Sequence, residues 1–199
     1  MQLMADDKKV GVLISGTGSN LKALVDALVP IAWVGSNNPD AKGLDFAHRK
    51  NIHTFVEPKI KELERLLDET FMQEIEFLVL AGFMRVLSPE FVKKYPKRII
   101  NIHPSLLPAF KGTDAIRRAY DYGCKVMGVT IHYVNEKVDE GEIIAQEPLW
   151  IVNTILNHNA HHTNQVRYTL KEVEQQVHAL EHSMYHKVIR DMLGIGGWG

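Results

Sequence analysis

Asn101 and His103 stand one residue apart at the end of the apolar run Ile99-Ile100-Asn101-Ile102-His103, and Pro104 follows at once. If the run is a strand, the two side chains point to the same face. Pro104 then stops the strand and opens a loop at its carboxyl end, where open α/β sheets hold their ligands. An amide beside an imidazole can polarise a carbonyl and move a proton. A histidine at a strand end more often has a purely structural hydrogen bond, and that reading stands beside the catalytic one. The segment that follows, Pro104 to Gly112, carries Leu106, Leu107 and Phe110, and suits the packed wall of a site.

Two further segments carry residues of the same kind. Ser15-Gly16-Thr17-Gly18-Ser19-Asn20 follows the apolar run Val10 to Ile14 and precedes a helical pattern from Leu21 to Leu28. Small residues in a strand-to-helix turn let backbone N–H groups approach an anion. There is no Lys-Ser/Thr ending, and Leu21 stands where a dinucleotide fingerprint has its third glycine, so a single phosphate suits the turn better. The alternative is a tight turn with Ser19 or Asn20 as helix cap. Asp139, in Val138-Asp139-Glu140-Gly141, reads either as a turn former or as the carboxylate partner of His103. Thr130 and His132 share one face of the run Met127 to Val134, and so are placed for a common pocket.

These groups need a scaffold, and the pattern supplies one. Apolar runs at Val10–Ile14, Ile31–Val34, His53–Val56, Phe77–Ala81 and Ile99–Ile102 alternate with helical stretches at 21–28, about 41–50, 59–75 and from Ser88-Pro89-Glu90 onward. That last triplet is an N-cap, a first-turn proline and a first-turn acid. The rhythm predicts an open, twisted, mostly parallel sheet with helices on both faces. Two more strands, Met127–Val134 and Ile143–Leu149, flank the polar segment 135–142, and Thr169 to Leu193 reads as one long amphipathic helix. Lys93, Lys94, Lys97 and Arg98 read as a solvent-facing helix end.

Composition narrows the class. At 199 residues, 45% hydrophobic and 24% charged, the chain can bury a full core. A net charge of −1 offers no general attraction to nucleic acid or an anionic membrane. Cys124 is the one cysteine, which excludes an intrachain disulfide and argues against a cysteine-based metal cluster. No run is long enough to span a bilayer. The start, Met1 to Lys9, is polar and unlike a signal peptide, so the expected location is cytoplasmic. His158, His161 and His162 lie among asparagines with no accompanying carboxylate, and read as a solvated loop rather than a metal site.

In order along the chain, these segments resemble the phosphoribosylglycinamide formyltransferases of purine synthesis. The resemblance rests on Ile14 to Leu21, Ser36-Asn37-Asn38 with Ala41 and Gly43-Leu44, Leu80 to Arg85, Asn101 to Pro108, Gly128 to Val134 with Asp139 and Gly141, and Glu181-His182 with Tyr185. It implies one formyltransferase domain over 1–199, Rossmann-like in its nucleotide-binding half (9–100), with a catalytic and folate-binding half (101–199) ending in the long helix. It assigns Asn101, His103 and Asp139 as the catalytic trio, with Thr130 and His132 in support. Gly16, Thr17, Gly18, Ser19 and Asn20 match the loop for the ribonucleotide phosphate, and Glu181 matches an acid touching the same substrate. Met84, Arg85, Val86 and Leu87, together with Asn101 and Val134, Asn135, Glu136, Lys137 and Val138, match the folate pocket. The implied co-substrate is 10-formyltetrahydrofolate and the acceptor is glycinamide ribonucleotide, with no metal, nucleic acid or membrane partner and a monomeric or homodimeric state. Residues 57–76 are short for the family, leaving Arg65 as the candidate for its folate-facing arginine, and 150–168 lack its usual acidic turn. Three alternatives are a formyltetrahydrofolate hydrolase, a tRNA-directed relative and a nucleotide-binding module without activity. The hydrolase usually carries an extra N-terminal domain, whereas nine residues precede the first strand here. The tRNA-directed relative is longer and lacks this glycine turn, and a binding module has no need of the trio.

Overall fold

The computed structural model describes residues 8–155 and 164–196. Seven strands form one sheet: β1 (Val10–Ile14), β2 (Ile31–Ser36), β3 (His53–Val56), β4 (Phe77–Leu80), β5 (Ile99–His103), β6 (Val126–Tyr133) and β7 (Ile143–Trp150). Their spatial order is β3-β2-β1-β4-β5-β6-β7. The first five are parallel, whereas β6 runs antiparallel to β5 and β7 antiparallel to β6. A separate pair, β8 (Val152–Ile155) and β9 (Asn164–Arg167), is antiparallel, and the His/Asn-rich stretch between them lies outside the described residues.

The period-2 rule sorts side chains to the two faces of this sheet. Val10, Val12 and Ile14 point to one side, with Val34, Val79 and Ile100. There they meet α1 (Ser19–Asp26), α2 (Lys42–Arg49), α5 (Ala115–Tyr122) and α6 (Leu170–Leu193). Leu13, Trp33, Leu78 and Ile99 point to the other, against α3 (Ile60–Leu66) and α4 (Pro89–Lys94). Buried on both faces, the central strands read as continuous apolar runs.

Most expected elements form, with informative differences. The helix expected over 59–75 is α-helical only to Leu66 and continues as a π-turn over Leu67–Phe71. Helix α5 was not expected from the sequence: its N-cap is Asp114, a residue type suited to that place, but here left-handed and without a side-chain cap bond. Arg98 is not solvent-facing. Its guanidinium donates to the carbonyls of Met72, Ile75 and Glu76, fastening the end of the α3 region to the start of β5. Ser88 caps α4 as expected, accepting from the Phe91 amide. Thr169 and Glu172 close a reciprocal capping box on α6.

One buried hydroxyl sets the height of α6 against the sheet. Tyr185, fully buried, donates from its phenol to the carbonyls of Leu80 and Ile100, at 3.0 and 3.1 Å. Glu181 lies one turn earlier, about 6 Å along the helix axis. Removing the hydroxyl leaves two buried acceptors short of a donor, so Tyr185→Phe is expected to lower stability by about 1–3 kcal/mol. The midpoint of urea unfolding measures this.

Candidate active site

The candidate residues of the parallel strands sit on the segments after β1, β2, β4 and β5, at the carboxyl edge of the sheet. The turn after β1 is the glycine turn. Gly18 holds a left-handed conformation (φ 74°) as N-cap of α1, with no side-chain cap bond. A side chain there would meet the Gly43 backbone at 2.7 Å, and the Gly43 amide donates to the Gly16 carbonyl. Two glycines thus let the starts of α1 and α2 touch. Ser19 and Asn20 do not cap the helix as the alternative reading required; both lie within its first turn. Gly16, Thr17 and Ser19 are exposed, Gly18 and Asn20 buried, and Asn20 Oδ1 has no partner among the described residues.

Sequence reasoning missed the residue that ties this turn to its neighbours. Ser15 Oγ donates to Asn37 Oδ1 at 2.5 Å and accepts from the Met84 amide at 2.7 Å, while Asn38 donates to the Ser15 carbonyl. The Ser-Asn-Asn motif after β2 is therefore a buttress for the glycine turn, and Ser15 links that turn to the segment after β4.

The trio assembles at the end of β5. His103 is 6% exposed, and its Nε2 donates to the Phe110 carbonyl at 3.0 Å. That anchor leaves Nδ1 facing Asp139 Oδ2 at 3.4 Å. The Gly112 amide donates to the same Oδ2 at 2.7 Å. Across the β5–β6 ladder, Asn101 pairs with His132 and His103 with Thr130. His132 Nδ1 donates to the Tyr133 carbonyl, and its Nε2 lies between Asn101 Nδ2, at 3.3 Å, and Asp139 Oδ1, at 3.6 Å. Asn101, His132, Asp139 and His103 form one continuous chain of side chains.

Thr130 has a different task. Its hydroxyl donates to the Ser105 carbonyl and accepts from the Leu107 amide and from Gln146 Nε2, which also donates to the Leu107 carbonyl. It faces the loop after β5 and holds it. Gln146, on β7, was not singled out from the sequence. Asp139 reaches its place through a left-handed backbone (φ 53°) and a close return of the chain. A side chain on Gly141 would lie 1.6 Å from the Tyr133 carbonyl, so only glycine permits that return.

Burial pushes the Asp139 carboxyl up. His132, the Gly112 amide and the charge of His103 together outweigh it and hold the group below its ordinary range. Glu181 is 6% exposed, and His178 Nδ1, one turn away, lies 2.8 Å from its Oε2. That bond to Glu181 raises the His178 pKa. His178, like Ser15 and Gln146, is a residue that the sequence reading passed over.

The expected folate walls divide. Met84, Arg85 and Val86 are exposed beside the glycine turn, but Leu87 turns into the core at 5% exposure. On the other side, Val134, Asn135 and Glu136 line a cavity of about 320 Å³ with Val92, Lys97 and Glu142. That cavity lies behind the loop and is lined by none of the trio. Lys137 and Val138 are exposed on the loop itself, where Asn135 braces the turn through the Lys137 amide and the Glu140 carbonyl. Arg65, the candidate for the folate-facing arginine, is held in surface ion pairs with Glu62 and Glu69. Among the described residues, no group of three or more His, Cys, Asp or Glu is placed to hold a metal ion, and no helix is long and apolar enough to cross a membrane.

The fold and this arrangement define a class, and comparison with known proteins gives the same one. The formyl transferase family pattern matches residues 8–189. The phosphoribosylglycinamide formyltransferase of Bacillus subtilis is 38% identical over 204 residues, covering 96% of this chain and 98% of that protein. The trifunctional purine biosynthetic protein adenosine-3 of Chironomus tentans is 38% identical over 92% of this chain, which spans only 13% of it. Among solved structures, glycinamide ribonucleotide transformylase 1 from Geobacillus kaustophilus superposes with a TM-score of 0.81 at 36% identity, covering 94% of this chain and 99% of that one. The chain belongs to the formyl transferase family.

A carboxylate with a lowered pKa stabilises the folded state most where it is ionised. The Asp139 contribution is therefore full above the ordinary value of 3.8 and is lost as pH falls through its lower folded value. Stability measured against pH in urea should show this acid-side loss in the native protein and not in Asp139→Asn.

Proposed function

We propose that this protein transfers the formyl group of 10-formyltetrahydrofolate to the amine of glycinamide ribonucleotide, in purine biosynthesis. The observation that carries the proposal is the convergence of Asn101, His103 and Asp139 at the sheet edge that also bears the glycine turn. Formyl transfer to an amine needs a donor for a developing oxyanion and a route for one proton. The linked side chains supply both.

In this reading the amine attacks the formyl carbon, a C–N bond forms and the carbonyl oxygen becomes an oxyanion. The Asn101 amide and the His103 N–H on the Asp139 side stabilise that charge. The new ammonium loses a proton, which His103 and Asp139 pass to the folate nitrogen as its bond to the formyl carbon breaks. Asp139 favours the imidazolium during this step. The glycine turn, residues 16–20, holds the ribonucleotide phosphate on its free amides and on the positive end of α1. Glu181, steadied by His178, accepts from the ribose hydroxyls. Met84, Arg85 and Val86 and the loop 134–138 receive the folate. Residues 9–100 then serve as the nucleotide-binding half and 101–199 as the catalytic half.

Release of tetrahydrofolate from 10-formyltetrahydrofolate tests this directly. Turnover is expected only with glycinamide ribonucleotide present. Turnover without it identifies a hydrolase, and none at all identifies a binding protein. His103→Ala and Asn101→Ala are each expected to lower kcat by about 10²–10³, the usual cost of removing one such donor. Ribonucleotide binding, measured by calorimetry, should remain largely intact in both.

A further inference from the structure

The loop that holds both partners of the catalytic pair is itself strained. Phe110, Gly112 and Asp114 all have positive φ (53°, 79° and 54°), and two of them carry side chains that disfavour this region. Yet the Phe110 carbonyl anchors His103 Nε2, and the Gly112 amide holds Asp139 Oδ2. A segment in sparsely populated conformations keeps its shape only if its surroundings over-determine it.

Arg118, an exposed residue on the first turn of α5, does so. Its Nη2 donates to the Phe110 carbonyl at 3.0 Å and to the Lys111 carbonyl at 2.5 Å, and its Nε donates to the Thr113 carbonyl at 3.0 Å. The guanidinium also lies over the Phe110 ring, 6.0 Å from its centre. One planar fork thus gathers three carbonyls of the strained segment, and one of them is the carbonyl that His103 uses.

We infer that Arg118 is a positioning residue of the reaction: by clamping the Phe110–Thr113 backbone it fixes the proton on His103 Nε2 and leaves Nδ1 as the working nitrogen opposite Asp139. The inference rests on the formyl-transfer reading for its kinetic consequence but not for its structural one. Arg118 touches neither Asp139 nor any reacting atom, so its effect passes through the Phe110 and Gly112 backbone. A lysine at this position keeps the charge but cannot hold three carbonyls at once.

The test compares Arg118→Ala, Arg118→Gln and Arg118→Lys with the native protein in two measurements. The first is the ¹⁵N signal of the His103 ring without substrate, identified by its absence from His103→Gln. At a pH where the ring is neutral, the native protein should show the Nε2-protonated tautomer, and the three variants an averaged tautomer mixture. The second is steady-state kinetics: kcat should fall about 10- to 100-fold, as expected for a catalytic group displaced by an ångström. KM for either substrate should stay within about twofold. An unchanged ring signal in any variant that folds overturns the inference, and so does full recovery by lysine. Because the ring signal needs no turnover, a protein inactive in formyl transfer but showing the tautomer change would refute the reaction and keep the clamp.

Discussion

Asp139 is a carboxylate held mostly out of water, its side chain only 8% exposed. A charge so placed is tolerated only where hydrogen bonds and opposite charge replace its lost hydration. Here that replacement comes from distant parts of the chain: the Gly112 amide beyond β5, the His103 ring at the end of β5, and the His132 ring on β6. Much of the second half of the fold is organised by this requirement. Antiparallel pairing of β5 and β6 sets His132 beside Asn101, and the return of the loop onto Tyr133 brings Asp139 within reach of both rings.

The same carboxylate explains why this site suits acyl transfer to an amine. It faces His103 Nδ1, while the Phe110 carbonyl settles which nitrogen is anchored and which is free to act. Asn101 is oriented by His132, so its amide is already in place for the oxyanion role proposed above. Such preorganisation is what makes an oxyanion site effective. The first half of the fold contributes the complementary device, a helix start without a side-chain cap, pressed against a second helix by two facing glycines.

Much of this was legible in the sequence where local chemistry and tertiary structure agree. Ile99 to His103 announced a strand ending at Pro104, Ser88-Pro89-Glu90 announced α4, and the amphipathic pattern from Thr169 to Leu193 announced α6. The pairing of His103 with Asp139 was one of two readings open on local chemistry, and the family resemblance selected it. Helix α5 was missed because its start is a left-handed Asp114 without a cap bond, and Arg118 of the helix's own first turn holds the loop before it. Ser15, Gln146, His178 and Arg98 escaped for a related reason: each acts through backbone groups or partners that only the tertiary structure brings near. Leu87 was matched to the folate pocket by its place in a motif, and its side chain lies in the core.

The sheet's outer boundaries have a consequence of their own. On one side the last strand, β7, carries Pro148, which has no amide to offer, next to an exposed Glu147. On the other, β3 is four residues long. An unprotected margin of open amides and carbonyls is a template on which nascent or unfolded copies can add themselves. With one margin interrupted and the other kept short, the sheet offers such additions little continuous template.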